Sequence, residues 1–195
     1  VTITKPFTPG IYLKYSKIEN CNNVEDIKHP IIKECLKLFK IHKPQIEITT
    51  LADVPSGTGL GSSGSFTVAL LKALFAFYGG YITKHELAEL ACDIEINRLN
   101  EPVGKQDQFV SAIGGVNIFY ISKKGSVKYS PLDIPEHEMF RFEDNLLLFF
   151  TGDTRSASKI LSHQNKKTQE NDLIMIKNLD ETKKLGNKIK EELLK

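Results

Sequence analysis

The feature that most constrains the fold is a glycine-rich loop between a short alternating segment and a long apolar one. The alternating segment is "QIEITT" (45–50), the loop is "DVPSGTGLGSSGSF" (53–66), and the apolar segment follows as "TVALLKALFAFYGG". Alternation predicts a half-buried strand, and an apolar run that ends in glycines predicts a buried helix. Because glycine is costly to order, so many glycines indicate a sharp turn or a close approach of the backbone to a ligand.

A strand, a glycine loop and a helix in this order can form an anion site, because backbone N–H groups at a helix N-terminus attract phosphate. Ser62 and Ser63 stand where the helix should begin, so their hydroxyls either cap it or reach a metal–phosphate group. The loop is not a Walker loop, because no lysine follows Gly61, and the spacing of Gly57, Gly59 and Gly61 does not fit G-x-G-x-x-G. From the residues alone, a structural turn and an anion site are equally open.

Composition places the 195 residues among ordinary globular proteins, with 41% hydrophobic and 26% charged residues. The formal net charge is +2 with acids and bases mixed, which gives no case for nucleic-acid binding. No apolar run approaches the roughly 18 residues of a membrane span. The cysteines Cys21, Cys35 and Cys92 are far apart and form no CxxC pair, so we expect neither a zinc site nor a disulfide framework, and a cytoplasmic location fits best.

The remaining segments predict a mixture of strands and helices. Strands are predicted for "VTITKP", "IYLKYSK" and the apolar run "NLLLFFTG", and a hairpin for "GVNIFYIS" and "GSVKYSPL" around residues 123–125. Helices are predicted for "HPIIKECLKLFKI" and for "TKHELAELACDIEINRLN", whose Thr83 and Glu86 form a capping-box signature. Residues 156–195 have a charged helical pattern with a break at Gly186.

A second loop, "EPVGKQDQFVSAIGG" (101–115), places Asp107 just before an apolar stretch. A carboxylate next to Lys105 can act as a general base or as an electrostatic orienter. The alternative is an N-cap for the short helix that follows, and the residues alone favour that alternative.

A third loop, "FTGDTRSAS" (150–158), follows the apolar run that predicts a central strand. Thr151, Gly152 and Arg155 suit polar ligand contacts there, with Arg155 a natural partner for phosphate or sugar hydroxyls. The alternative is again a helix cap, since "TRSASKIL" can begin a helix.

Together these three loops resemble the GHMP kinase superfamily. Pro55 through Gly64 match its motif P-x-x-x-G-L-G-S-S-[AG] without a gap, and "GKQDQFVSAIGG" resembles the segment with the catalytic aspartate. "KQDQ" and "LLFFTGDTRSAS" are most similar to the heptose 7-phosphate kinase branch. That resemblance implies ATP-dependent phosphorylation of the anomeric C1 hydroxyl of D-glycero-D-manno-heptose 7-phosphate, on the way to nucleotide-activated heptose for capsule or other surface polysaccharide. The alternatives are a fucokinase- or galactokinase-like sugar 1-kinase, and a catalytically silent GHMP-fold protein that only binds a ligand or partner.

The resemblance also implies a role for each motif residue. ATP phosphates would lie on the loop formed by Pro55, Ser56, Gly57, Thr58, Gly59, Leu60, Gly61, Ser62 and Ser63. Mg²⁺ would be held by Ser63 and Glu95, although Glu95 can also be read as part of a solvated helix face. Asp107 would accept or orient the sugar hydroxyl proton. Lys105 would favour the charged form of Asp107 or neutralise phosphate, unless it simply faces solvent. The sugar phosphate would contact Asp107, Thr151, Gly152 and Arg155.

At the level of domains, the resemblance implies an α+β fold, the two-domain fold of GHMP kinases. Residues 1–143 would form the N-terminal ATP-binding domain with a left-handed β-α-β crossover, and residues 144–195 would begin a ferredoxin-like C-terminal domain. An R-x-[SD]-x-x-G-G-G-T-D-like motif is expected before Val1 and a G-A-G-G-G-G type motif after Lys195, so we expect a longer parent protein. The implied partner is a small-molecule sugar phosphate, without nucleic acid or membrane, and the resemblance leaves a homodimer open.

Overall fold

A computed structural model of the chain describes residues 1–40, 44–54, 57–149 and 157–194. These residues form two compact units, Val1–Ile113 and Gly114–Lys195. The predicted mixture of helices and strands is confirmed in both. The predicted domain boundary between residues 143 and 144 stays a prediction.

The first unit contains a sheet of four strands. They are β1 (Thr2–Thr4), β2 (Gly10–Lys14), β3 (Ile18–Cys21) and β4 (Gln45–Thr49), in the order β1-β4-β2-β3. The pairs β1–β4 and β2–β3 are antiparallel, whereas β2 and β4 are parallel. The sheet is thus mostly antiparallel, and its parallel pair forms a β-α-β unit whose predicted handedness stays a prediction.

Helices of the first unit follow the predicted segments closely. They are α1 (Pro30–Leu38), α2 (Ser62–Phe77), α3 (Lys84–Cys92) and α4 (Gln106–Ile113), with a short 3₁₀ turn at Val24–Asp26. A π-helical segment, Asp93–Arg98, continues α3. The capping box is confirmed, because the Thr83 hydroxyl accepts the Glu86 N–H and the Glu86 carboxylate accepts the Thr83 N–H.

A single hydrophobic core joins this sheet to its helices. Alternate residues of β4, Ile46 and Ile48, are fully buried, as the pattern "QIEITT" predicts. They pack in one cluster with Leu70, Leu71 and Leu74 of α2. The strand before the glycine loop and the helix after it are therefore both anchored in the core, which fixes the two ends of the loop.

The second unit contains a hairpin and three helices. The hairpin pairs β5 (Asn117–Ile121) with β6 (Val127–Pro131) around residues 123–125, as predicted. The helices are α5 (Glu136–Asp144), α6 (Ala157–Gln169) and α7 (Leu173–Leu193). No helix of the described residues is long and apolar enough to cross a membrane.

Two predictions for the second unit are wrong. Residues 146–149 of the predicted central strand are exposed and not in a strand, because no described strand lies beside them to complete a hydrogen-bonded ladder. The predicted break at Gly186 is also wrong, since Gly186 lies inside α7. The helices instead separate at residues 170–172, where the Asp172 carboxylate accepts the N–H of Met175 and caps α7.

Candidate active site

The glycine loop adopts a backbone that only glycine adopts without strain. Gly57, Gly59 and Gly61 have φ angles of 79°, 78° and 67°, all in the left-handed region. Gly61 is the N-cap of α2, and no side chain of the described residues caps this helix. Pro55 and Ser56 lie outside the described residues. The glycines at 57, 59 and 61 are therefore required by the shape of the loop.

Ser62 and Ser63 open α2, but neither acts as its N-cap, because that position belongs to Gly61. Their hydroxyls form no hydrogen bond with any residue that the structure describes. The first N–H groups of a helix have no partner within the helix and carry its positive partial charge. The start of α2 thus presents unpaired N–H donors and two hydroxyls on a rigid helix.

A cleft of about 880 Å³ lies beside this helix start. Its lining includes Tyr15 and His29 on one side, Asp53 and Leu60 from the loop region, and Phe66 from α2. The rings of Tyr15 and His29 meet edge to face with centroids 4.8 Å apart, and His29 contacts Phe66 at 5.3 Å. Volumes of this size accommodate small-molecule ligands.

A buried carboxylate, Glu19, forms hydrogen bonds with Tyr15 and His29, two of the residues that line this cleft. It accepts hydrogen bonds from the Tyr15 hydroxyl and from the N–H groups of Lys28 (2.7 Å) and His29 (3.2 Å). Burial works to raise the pKa of Glu19, but these three hydrogen bonds hold the pKa below its ordinary value. Burial also lowers the pKa of His29, whose Nδ1 accepts the N–H of Ile32 and caps α1.

Glu19→Gln is expected to lower the free energy of unfolding at pH 7 by about 2 kcal/mol, because an amide NH₂ would face backbone or hydroxyl donors. A carboxylate with a lowered pKa stabilises the fold above its unfolded pKa, and this contribution is lost as pH falls through the folded pKa. The difference in the free energy of unfolding between wild type and variant should therefore become smaller below about pH 4. Urea unfolding at several pH values measures it. Glu47→Gln, in an exposed pair with Lys14, is the control and should cost under about 1 kcal/mol.

The first turn of α4 brings Asp107 to the glycine loop. A Cβ atom placed on Gly61 would lie 3.1 Å from Asp107 Cγ, and one placed on Gly64 would lie 3.0 Å from Asp107 Cβ. Only residues without a side chain permit so close an approach. Asp107 is exposed, and its carboxylate accepts no hydrogen bond from any described residue. The N-cap alternative is wrong, because α4 begins at Gln106 and Asp107 lies inside its first turn.

Glu95 lies in the π-helical segment and is only 1% exposed, so the alternative of a solvated helix face is wrong. Its carboxylate accepts a hydrogen bond of 2.6 Å from Gln108 Nε2, and Gln108 is also 1% exposed. The amide oxygen of Gln108 is buried without any hydrogen-bond partner among the described residues. Such an orphan acceptor costs about 1–3 kcal/mol, so it calls for a functional explanation. Sequence reasoning missed Gln108; its place beside Asp107 was the available signal.

The structure does not pair Lys105 with Asp107. The Lys105 ammonium lies 2.8 Å from the Glu89 carboxylate of α3 and forms its ion pair there. The proposed catalytic role of Lys105 therefore stays a prediction. Thr151, Gly152 and Arg155 lie outside the described residues, so their assignment to the sugar-phosphate site also stays a prediction.

The oxygen groups of this site are of the type that suits Mg²⁺. Mg²⁺ prefers hard oxygen ligands and is commonly held by one or two carboxylates together with substrate phosphates. Glu95 supplies a buried carboxylate, and Ser63 supplies a hydroxyl at the start of α2. The described residues contain no group of three or more His, Cys, Asp or Glu side chains suited to a metal ion. Ser63 and Glu95 thus have the donor chemistry for Mg²⁺ bound together with phosphate, and their assignment to such an ion stays a prediction.

Comparison with known proteins identifies relatives among small-molecule kinases. The chain is 32% identical over 139 residues to D-glycero-alpha-D-manno-heptose 7-phosphate kinase from Campylobacter jejuni, covering 71% of this chain and 41% of that protein. It is 27% identical to the galactokinase of Thermosipho africanus, covering 69% of this chain and 38% of that protein. The chain thus spans about two fifths of the length of these relatives.

Solved structures show the same fold. A D-glycero-D-manno-heptose 1-phosphate kinase from Bacteroides thetaiotaomicron superposes with a TM-score of 0.71 at 24% identity, covering 90% of this chain and 60% of that one. The mevalonate kinase of Methanococcus jannaschii superposes with a TM-score of 0.57 at 21% identity, covering 93% and 61%. Residues 30–115, which hold the glycine loop and α4, match the model of the GHMP kinases N terminal domain. These residues therefore form a GHMP kinases N terminal domain.

Proposed function

We propose that the protein is an ATP-dependent sugar kinase that phosphorylates the C1 hydroxyl of a heptose 7-phosphate. The observation that carries this proposal is the contact of Asp107 with Gly61 and Gly64 at the start of α2. A carboxylate placed beside a phosphate-binding helix end can serve a hydroxyl that attacks phosphate. Nucleotide-activated heptose for surface polysaccharide is the proposed destination of the product, and a cytoplasmic homodimer is the proposed state of the enzyme.

In this proposal the chain's own groups divide the work of phosphoryl transfer. The N–H groups at the start of α2 bind the phosphates of ATP, with the loop glycines keeping side chains out of the way. The Asp107 carboxylate accepts the proton of the acceptor hydroxyl, or orients that hydroxyl for in-line attack. Phosphoryl transfer depends mainly on such positioning and on charge stabilisation, so a rigid helix end is a suitable platform.

Mg²⁺ is the ion proposed for this site, with Ser63 and Glu95 as its protein ligands. When bound, the ion would neutralise negative charge on the phosphates. Burial of Glu95 supports the assignment, because a charged side chain is seldom buried without a partner of functional or structural importance. The exposed Ser63 hydroxyl, at the helix end, completes the proposed pair.

The experiment that tests the proposal is a screen of acceptors with labelled ATP and the intact protein. Heptose 7-phosphate should be phosphorylated faster than heptose 1-phosphate, galactose, L-fucose or mevalonate. Heptose 1-phosphate belongs in the screen because the names of two relatives place the phosphate on different carbons. Faster turnover of galactose or fucose would replace the heptose assignment with a galactokinase- or fucokinase-like one, and no turnover of any acceptor would favour the silent binding protein.

Arg155→Ala extends the screen to the proposed contact with the sugar phosphate. It should raise the KM for heptose 7-phosphate by about 10- to 150-fold, the equivalent of one charge-assisted hydrogen bond. The KM for ATP should stay near the wild-type value. An unchanged KM for the sugar would remove Arg155 from the proposed site without bearing on the identity of the substrate.

A further inference from the structure

The hydrogen-bonding groups of Glu95 and Gln108 determine how these two buried side chains face each other. An ionised carboxylate can only accept hydrogen bonds, so the Gln108 NH₂ group must face Glu95 and its amide oxygen must face elsewhere. The 2.6 Å distance between Nε2 and Oε2 agrees with a hydrogen bond to a charged acceptor. The orphan amide oxygen is the consequence of this orientation.

The same pair connects two helical elements to the loop. Glu95 belongs to the π-helical segment Asp93–Arg98, and Gln108 belongs to the first turn of α4. A Cβ atom on Gly64 would lie 3.2 Å from the backbone N of Gln108, so α2 also packs against this turn. A π-helical segment inside a longer helix is frequently found at functional sites. The hydrogen bond therefore ties Glu95 to the turn that carries Asp107.

We propose that Gln108 is a positioning residue that holds the Glu95 carboxylate in place for a divalent cation and fixes the turn that carries Asp107. This inference rests on the proposed function, because it assigns the cation to the kinase site. A pair kept only for stability would leave no buried acceptor unpaired, whereas a pair kept to orient a ligand can tolerate one. Side chains that orient a metal ligand typically change metal affinity or activity by about 10- to 100-fold when removed.

Gln108→Leu tests the proposal in the intact protein, because leucine keeps the volume and removes the donor. Binding of Mn²⁺ in the presence of ADP, followed by electron paramagnetic resonance, should weaken by about 10- to 100-fold. The Mg²⁺ concentration for half-maximal activity should rise by a similar factor. Gln106→Leu is the matched control, since Gln106 is exposed on the same helical turn, and it should leave Mn²⁺ affinity unchanged.

The exchange variant Glu95→Gln/Gln108→Glu separates positioning from stability. It keeps one amide and one carboxylate, so its melting temperature should recover relative to Gln108→Leu, while Mn²⁺ affinity should not. Recovery of both, or wild-type Mn²⁺ affinity in Gln108→Leu, would overturn the proposal. If the wild type itself binds no Mn²⁺ with ADP, the proposed function fails and this inference fails with it; a wild type that binds while Gln108→Leu binds equally well refutes this inference alone.

Discussion

Asp107→Asn is expected to lower kcat by about 10²-fold or more while leaving ATP affinity within a few-fold of wild type. Asparagine has nearly the shape of aspartate, but it cannot accept the proton of the attacking hydroxyl. Since Asp107 accepts no hydrogen bond from any described residue, the exchange removes no contact within that part of the fold. Steady-state kinetics and the melting temperature, measured on the intact protein with the best acceptor of the screen, give both quantities.

A structural role for Asp107 predicts the opposite result. The carboxylate sits in the first turn of α4, where an acidic side chain favours the helix by about 0.3–1 kcal/mol. Asp107→Asn would then cost a small amount of stability and leave kcat unchanged. Glu136→Gln provides the control, because Glu136 occupies the first turn of α5 and should change neither quantity beyond that range. Wild-type turnover in Asp107→Asn would refute the catalytic assignment.

Side-chain periodicity and capping signals in the sequence predict much of the secondary structure of the first unit. Alternation in "QIEITT" predicted β4 with Ile46 and Ile48 inside, and Thr83 with Glu86 predicted the start of α3. The apolar segment after the loop predicted α2. These elements follow from side-chain periodicity and capping chemistry, which operate over a few residues and are visible in the sequence.

The surroundings of residues that contact distant parts of the chain are harder to predict from the sequence. In the sequence Glu95 can also be read as a solvated position, and only the packing of the π-helical segment against α4 shows that it is buried beside Gln108. Lys105 is two residues from Asp107 in the sequence, yet the Lys105 ammonium forms an ion pair with Glu89 of α3. The run at residues 146–149 has the composition of a strand, but a strand also needs a neighbour, which composition does not reveal.

The glycine loop combines a feature that the sequence predicts with one that depends on a distant contact. Its glycines predicted an unusual backbone, and three of them do have positive φ. The residues alone did not decide between a turn and an anion site. The contact of Gly61 and Gly64 with Asp107 adds what the sequence lacks, namely a carboxylate that lies against the loop although it is more than 40 residues away in the chain.

Gly59→Val should weaken the binding of Mg-ATP by about 10²-fold or more, through the loss of one or two charge-assisted hydrogen bonds to phosphate. A Cβ atom on Gly59 would meet no atom of the described residues within 4 Å, so among these residues the valine would project into open space and not into the core. In the proposed function that space belongs to phosphate. Calorimetric titration of the intact protein with Mg-ATP measures the loss.

Backbone strain must be separated from the loss of the ligand contact, because Gly59 has a φ of +78° that valine adopts only at a cost. Gly125, in the turn of the β5–β6 hairpin, has the same φ of +78°, and a Cβ placed on it likewise meets no atom within 4 Å in the part of the chain that the structure describes. Gly125→Val should therefore lower the melting temperature to a similar extent and leave Mg-ATP affinity unchanged. Equal affinities for the two variants would place the nucleotide elsewhere than on this loop. A loss confined to Gly59→Val supports the approach of phosphate to the loop backbone, since both variants carry the same strain and only Gly59 belongs to the glycine loop.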